Sequence, residues 1–334
     1  MMIRSSRFRA EREPGWKKLE SLVNLAEAQG MSALSYEEAQ NLASLYRQAV
    51  NSLSVARSIS MDKALLAYLD ALCARAYLVV YAPQESIRGA ITRLFSDGIP
   101  RAVRRSAMPL MIGFLAMGLG ALIGYLLYFQ DPEWFFTFVP QGLADGRAPG
   151  ASEEYLRSTL FDEGRQDSEE LGVFATMLFS HNTRIAIFIF ALGVFASLPS
   201  FILTFYNGLL LGAFFAMFAE AGLAYELLGW LSIHGVTELS AICVACAGGA
   251  QLGLAVLLPG NHSRKEALRR AGKDAVKLMI LAGLMLIAAA LIEGFLRQLV
   301  QVTEVRLAIG WGIGALWLAW IMLAGRGPEP EREF

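Results

Sequence analysis

The sequence predicts an all-α protein in which a polytopic helical membrane domain of about six transmembrane helices follows an N-terminal soluble helical bundle. Three observations predict it. Only 18% of the 334 residues are charged and the mean hydropathy is +0.44, whereas soluble domains carry about a quarter charged residues. The charge is also unevenly spread, with 15 Lys/Arg and 10 Asp/Glu before residue 107 and long uncharged stretches after it. Those stretches reach the roughly 20 residues that a helix needs to cross a hydrocarbon core of about 30 Å.

Residues 1–13 read as a charged arm or interfacial segment, and Pro14 suits the start of a helix carrying Trp16, Leu19, Leu22 and Val23. Ser35 and Glu38 form a capping box that opens a second helix running to about Ser58. A third helix spans about 61–81 and stops at Pro83, a fourth covers 84–96, and Gly98-Ile99-Pro100 breaks it before the membrane. The domains are therefore 1–100, a cytoplasmic bundle, 101–325, the membrane domain, and 326–334, a cytoplasmic tail. Arg47, Arg57 and Arg75 interrupt the bundle's helical faces. They either pair with acidic neighbours or form a docking surface for a partner or for lipid headgroups.

Arg101, Arg104 and Arg105 stand before a first span at 107–129, and the linker 130–170 carries ten acidic residues against three arginines. Positive residues stay inside, which puts both termini in the cytoplasm and the linker outside, as in a bacterial inner-membrane protein. Residues 171–183 are too short to cross and read as an interfacial helix. The 35 uncharged residues Ile185–Ala219 would make about 52 Å of helix. Pro199 divides them into spans 183–198 and 201–220, with one span plus a re-entrant hairpin as the rival reading. Spans 230–258, 278–296 and 307–325 follow, and a basic cytoplasmic loop, 260–277, separates the first two of these.

Ionisable groups in hydrocarbon are costly and ask for a partner or a role. His234 and Glu238 lie four apart on one helix face, Glu293 falls in the next span, and Arg184, Glu220 and His181 lie near span ends. Counting from Gly229 places His234 about 7 Å and Glu238 about 13 Å into the membrane; Glu293 falls about 6 Å from the end near Arg297. All six then gather in the external half. Such a cluster can hold the spans together, relay protons or ions, or, less simply, bind metal or assist hydrolysis. The HExxH zinc pattern is absent and Cys243-Val-Ala-Cys246 reads as helix packing, so no metal, cofactor or catalytic residue is assigned. Charge balance gives no reason to expect nucleic-acid binding. Glycines at 118, 120, 208, 212, 248, 249, 253, 310, 312 and 314 permit close helix packing or a homodimer face.

The motif residues Tyr206-Asn207-Gly208, His234-Gly235-Val236-Thr237-Glu238 and the downstream Glu293 resemble the stage II sporulation protein M family. The soluble half is similar to the family's bacterial branch through Trp16 with Leu19, Leu45-Tyr46-Arg47, Ala56-Arg57, Tyr68-Leu69 and Arg75-Ala76 before Tyr81. The resemblance implies a multi-spanning inner-membrane protein with Asn207, Gly208, His234, Gly235 and Glu238 as its motif residues. In spore formers the namesake is a scaffold that helps hold peptidoglycan-degrading proteins at the engulfing membrane. Relatives in non-sporulating organisms occur alongside AAA-type ATPases and von Willebrand factor A-type proteins. The implied role is a non-enzymatic scaffold that organises an envelope or ATPase-linked complex in the lipid bilayer. The competing reading is a proton- or ion-coupled transporter or channel using His234, Glu238 and Glu293.

Overall fold

The computed structural model describes residues 2–58, 63–81, 87–144, 146–161, 168–296 and 299–327. Pro83, Arg297 and most of the C-terminal tail lie outside them. The described residues are helices and turns with no strand. The chain divides into two compact units, Met1–Ile91 and Thr92–Phe334, so the break falls slightly before the expected residue 100.

In the first unit, α1 (Met2–Gln29), α2 (Tyr36–Ser58) and α3 (Lys63–Tyr81) pack around Trp16, Leu19, Val23, Leu42, Ala49, Leu69 and Ala76. The helix begins well before Pro14, which lies inside α1. Ion pairs one turn apart, Arg7–Glu11 and Arg9–Glu13, and the Phe8–Trp16 ring contact at 6.0 Å accompany that N-terminal extension. The capping box is formed: Glu38 accepts from the Ser35 backbone N–H at 2.8 Å, and the Glu38 N–H donates to Ser35 Oγ at 3.3 Å.

The boundary falls within α4 (Ile87–Arg93), and the second unit continues through a π-helical turn (Leu94–Gly98) into α5 (Ile99–Arg105). Helix continues through Gly98, itself in the α conformation, and Pro100, with a π-helical turn just before the proline. The expected break falls instead at Ser106, just before α6 (Ala107–Gln130). In the linker, the described residues 130–144 and 146–161 are folded. Its short helices α7 (Trp134–Phe138), α8 (Gln141–Ala144) and α9 (Glu153–Phe161) bury Phe135, Phe138, Leu156 and Leu160 against Tyr128, Phe218, Leu223 and Trp230. This cap covers one end of the helical unit.

Next comes α10 (Ser168–Leu192), one continuous helix where an interfacial helix and a separate span from 183 were expected. It turns over residues 193–197 into α11 (Leu198–Glu220), with Pro199 in the first turn. Ala196 and Ser197 carry left-handed φ values of 60° and 65°, so the reversal comes just ahead of the proline. α12 (Ala224–Leu257), α13 (Arg264–Leu291) with a π-helical turn (Ile292–Leu296), and α14 (Thr303–Leu323) complete the unit.

Among the described residues, six helices are long and apolar enough to cross a membrane, five of them in the second unit: α6, α11, α12, α13 with its π turn, and α14. The sixth is α3. Its Leu65, Leu69, Leu72, Ala76 and Val79 are buried within the bundle, and two of its charges are tied to α1 and α2 through Arg75–Glu27 (2.5 Å) and Arg57–Asp70 (2.6 Å). Helix α10 is not among the six; Ser180 to Arg184 interrupt its apolar run with polar side chains.

At the end away from the cap, the arginines before α6 close off α14. Arg104 donates to the carbonyls of Ile321, Ala324 (2.7 Å) and Gly325 (2.8 Å), which the helix end leaves without N–H partners. Arg105 makes a two-pronged pair with Asp274, both contacts at 2.8 Å.

Candidate functional site

Backbone proximity sets the geometry of the site. Between α6 and α11, a methyl group on Gly120 would lie 2.1 Å from the Phe205 carbonyl oxygen, and one on Gly212 would lie 1.9 Å from that of Ala121. A methyl group on Gly310 of α14 would lie 2.0 Å from the Ser232 carbonyl oxygen on α12. These contacts exclude any side chain and hold the helices in register.

Beneath the cap, α10, α11 and α12 leave a cavity of about 100 Å³. Its roof is Val139, Leu143 and Arg147 from the cap. Its walls include His181 and Asn182 of α10, Asn207 and Phe214 of α11, and Trp230, His234 and Glu238 of α12. The 234/238 spacing places both side chains on one face, and Asn182 Nδ2 donates to Glu238 Oε1 at 2.5 Å. Trp230 and His234 meet edge to face, with centroids 5.4 Å apart. Arg147 is only 3% exposed; it donates to the carbonyls of Ala144 (2.9 Å) and Leu143 (3.0 Å) and lies over the Phe214 ring at 4.9 Å.

A second, largely apolar cavity of about 240 Å³ adjoins the first, sharing His181, Asn207 and Leu210 with it. It runs between α10 and α11, along Ile185, Phe188, Ile189, Leu192, Leu203 and Tyr206.

The structure therefore brings together His181, His234 and Glu238 from the sequence-predicted cluster, along with the motif residue Asn207. Gly208 packs on α6, where a methyl group would lie 2.3 Å from the Met117 carbonyl oxygen, and Gly235 is buried within α12. Glu293 is buried in the π-helical turn after α13 and does not line the cavity. Arg184 is exposed, and Glu220 lies on the exposed end of α11, accepting from Tyr128 Oη at 2.5 Å. Both share the right helices with the site but point elsewhere.

The depth also differs from the sequence count, because α12 starts at Ala224 rather than near Gly229. Glu238 is twelve residues beyond Glu226 and thirteen before Gln251, about 18 and 20 Å along the helix. It lies at mid-depth rather than in one half. Below it, away from the cap, Met117, Ile189, Ile242, Cys243 and Cys246 form an apolar layer. Among the described residues, no three His, Cys, Asp or Glu side chains are placed to hold a metal ion.

Sequence reasoning missed two residues. Arg147 belongs to the acidic linker read as lying outside, and Arg306 precedes the last span yet is wholly buried. Neither carries a local signal, since the surfaces that bury them come from distant parts of the chain. In the first unit, Arg57 and Arg75 are taken up by ion pairs, while Arg47 is exposed.

The family model described as Stage II sporulation protein M matches residues 109–297, which include the whole α10–α12 site. A second model, described as a domain of unknown function (DUF8413), matches residues 6–82 and so covers the helical bundle. No curated protein and no solved structure gives a significant match.

Proposed function

Given that this chain belongs to the stage II sporulation protein M family of multi-pass membrane proteins, we propose that it is a non-enzymatic membrane scaffold. It organises an envelope or ATPase-linked complex from the bacterial inner membrane. In this reading the termini and the basic segment before α13 face the cytoplasm, and the cap faces outward, following the charge distribution. The bundle 2–81 is the cytoplasmic docking module; AAA-type ATPases and von Willebrand factor A-type proteins are the partner classes that the family association suggests.

The observation that carries the reading is the set of glycine seams joining α6 to α11 and α12 to α14. Helices in backbone contact resist sliding, which suits a fixed platform better than a transporter that must rock between states. The apolar layer between Glu238 and the basic end also argues against a proton or ion relay, which needs a polar path to both surfaces.

Two experiments test it. Photocrosslinking from exposed bundle positions such as Arg47 should capture a protein partner of one of those classes; recovery of lipid and the protein alone counts against docking. Proteoliposomes should show no pH-dependent flux in wild type or in Glu238→Gln. Flux present in wild type and lost in Glu238→Gln overturns the scaffold in favour of the relay.

A further inference from the structure

We propose that the α10–α11 groove is a binding site for a neutral long-chain lipid whose hydroxyl or carbonyl head is held by Asn207 and His181. The inference rests on the membrane placement of the unit and not on the scaffold reading.

Two unpartnered polar side chains point to a ligand. Asn207 is 7% exposed and makes no side-chain hydrogen bond among the described residues. His181 Nε2 is buried and likewise unpaired. A buried polar group left without a partner costs free energy. Both residues stand where the polar cavity meets the apolar groove. A head group at that junction would satisfy both at once.

The groove has the shape of a chain-binding site. On α10 its wall is His181, Ile185, Phe188, Ile189 and Leu192, spaced as a single helical stripe. From His181 to Leu192 that stripe is about 16 Å long, with a matching stripe of Leu203, Tyr206, Asn207 and Leu210 on α11. Ser200 Oγ donates to the Ile189 carbonyl at 2.6 Å and pins the two helices near their turn. Phe188 (53% exposed) and Tyr206 (44%) put the groove's mouth on the outer surface of the unit, where hydrocarbon would surround it.

The chemistry selects an uncharged head. A charged group at mid-depth is costly. The ionisable groups nearby already have contacts: Arg147 with two cap carbonyls, and Glu238 with Asn182. The polar side chains that the cavity and the groove share, and so the ones a head group at their junction would meet, are the amide of Asn207 and the imidazole of His181. A hydroxyl or carbonyl oxygen can satisfy both, whereas a phospholipid headgroup would have to be drawn in from the surface.

The test uses the full chain in phosphatidylcholine nanodiscs, with a photoreactive long-chain fatty alcohol carrying its diazirine on the chain. Labelling should map to residues 181–210 and be competed away by unlabelled alcohol. In Asn207→Leu it should fall about tenfold, the loss expected for a hydrogen bond to the head, while the Tm of the lipid-stripped protein holds or rises because an unsatisfied amide is gone. Leu203→Trp, which fills the apolar end without touching Asn207, should also abolish labelling and covers the case in which Asn207→Leu does not assemble. Three results overturn the proposal: labelling spread evenly over lipid-facing helices, equal labelling of 181–210 by a diazirine phosphatidylcholine, or labelling that survives in either variant.

Discussion

Arg306 Nη1 donates to the carbonyl oxygen of Leu160 at 2.9 Å, joining the first turn of α14 to the end of α9 in the cap. The same guanidinium bonds the Val300 carbonyl at 2.7 Å and Gln301 Oε1 at 3.0 Å, and lies over the Phe161 ring at 5.3 Å. One buried cation thus holds together two segments 146 residues apart.

Arg306→Met keeps the apolar stem but deletes those donors, leaving buried carbonyls without partners. Each buried acceptor left without its donor costs about 1–3 kcal/mol. The expected result is a lowered Tm together with earlier proteolysis within 134–161 than elsewhere. Arg306→Lys should rescue only in part, since one ammonium cannot reproduce the planar fork. Uniform protease sensitivity would show that Arg306 does not hold the cap in particular.

The α6–α11 seam makes a paired prediction. Gly212→Ala would put a methyl group 1.9 Å from the Ala121 carbonyl oxygen, whereas Gly118→Ala, on the same α6 helix that forms the seam, meets nothing within 4 Å. The first should prevent assembly or lower the Tm sharply, as overpacking costs about 1–3 kcal/mol or more. The second should be neutral or stabilising by up to about 1 kcal/mol, the helix-propensity gain of alanine over glycine. Equal effects would mean that the seam is not close-packed.

The bundle carries a pH signature. Arg75 hydrogen-bonds Glu27 and holds its carboxyl below the ordinary value of 4.5. A carboxylate whose folded pKa is depressed adds stability that is complete above about pH 4.5 and is lost as pH falls through the folded value. Hydrogen exchange of residues 16–29 and 65–79 should therefore quicken as pH drops below 4.5, after correction for intrinsic rates. Glu27→Gln should flatten that dependence, and an unchanged profile in this variant would exclude the pair as its source. The effect will be modest because the pair is about 40% exposed.

The helices and the pairing of His234 with Glu238 were legible because both rest on local periodicity: apolar runs of span length and a four-residue spacing. The cap was not. Phe135, Phe138, Leu156 and Leu160 are scattered among acidic residues, and the surface they need, Phe218, Leu223 and Trp230, is made far along the chain. Which members of the polar cluster meet was likewise hidden. Counting residues gives depth, but the direction a side chain faces depends on which helices surround it. His181 and Arg184 are three residues apart on α10, yet one lines the cavity and the other is exposed. The turn before Pro199 was placed within a few residues, since proline marks a helix's first turn but not how the chain arrives there.

That arrival makes the last prediction. Ala196 and Ser197 hold left-handed φ values of 60° and 65°, a region that costs a residue with a Cβ about 1–2 kcal/mol. Ala196 is exposed, and Ala196→Gly should relieve the strain, offset in part by the greater unfolded-state entropy of glycine, for a net gain of about 1 kcal/mol and a higher Tm in detergent. Ser197 differs because its hydroxyl donates to the Ala250 carbonyl at 2.7 Å inside the unit. Ser197→Gly gains the same backbone freedom but loses that bond, leaving a buried carbonyl short of a partner, so it should be neutral or destabilising. The contrast between adjacent positions separates backbone strain from side-chain bonding. If both glycines raise the Tm equally, the hydroxyl contributes nothing; if neither does, the turn is not strained.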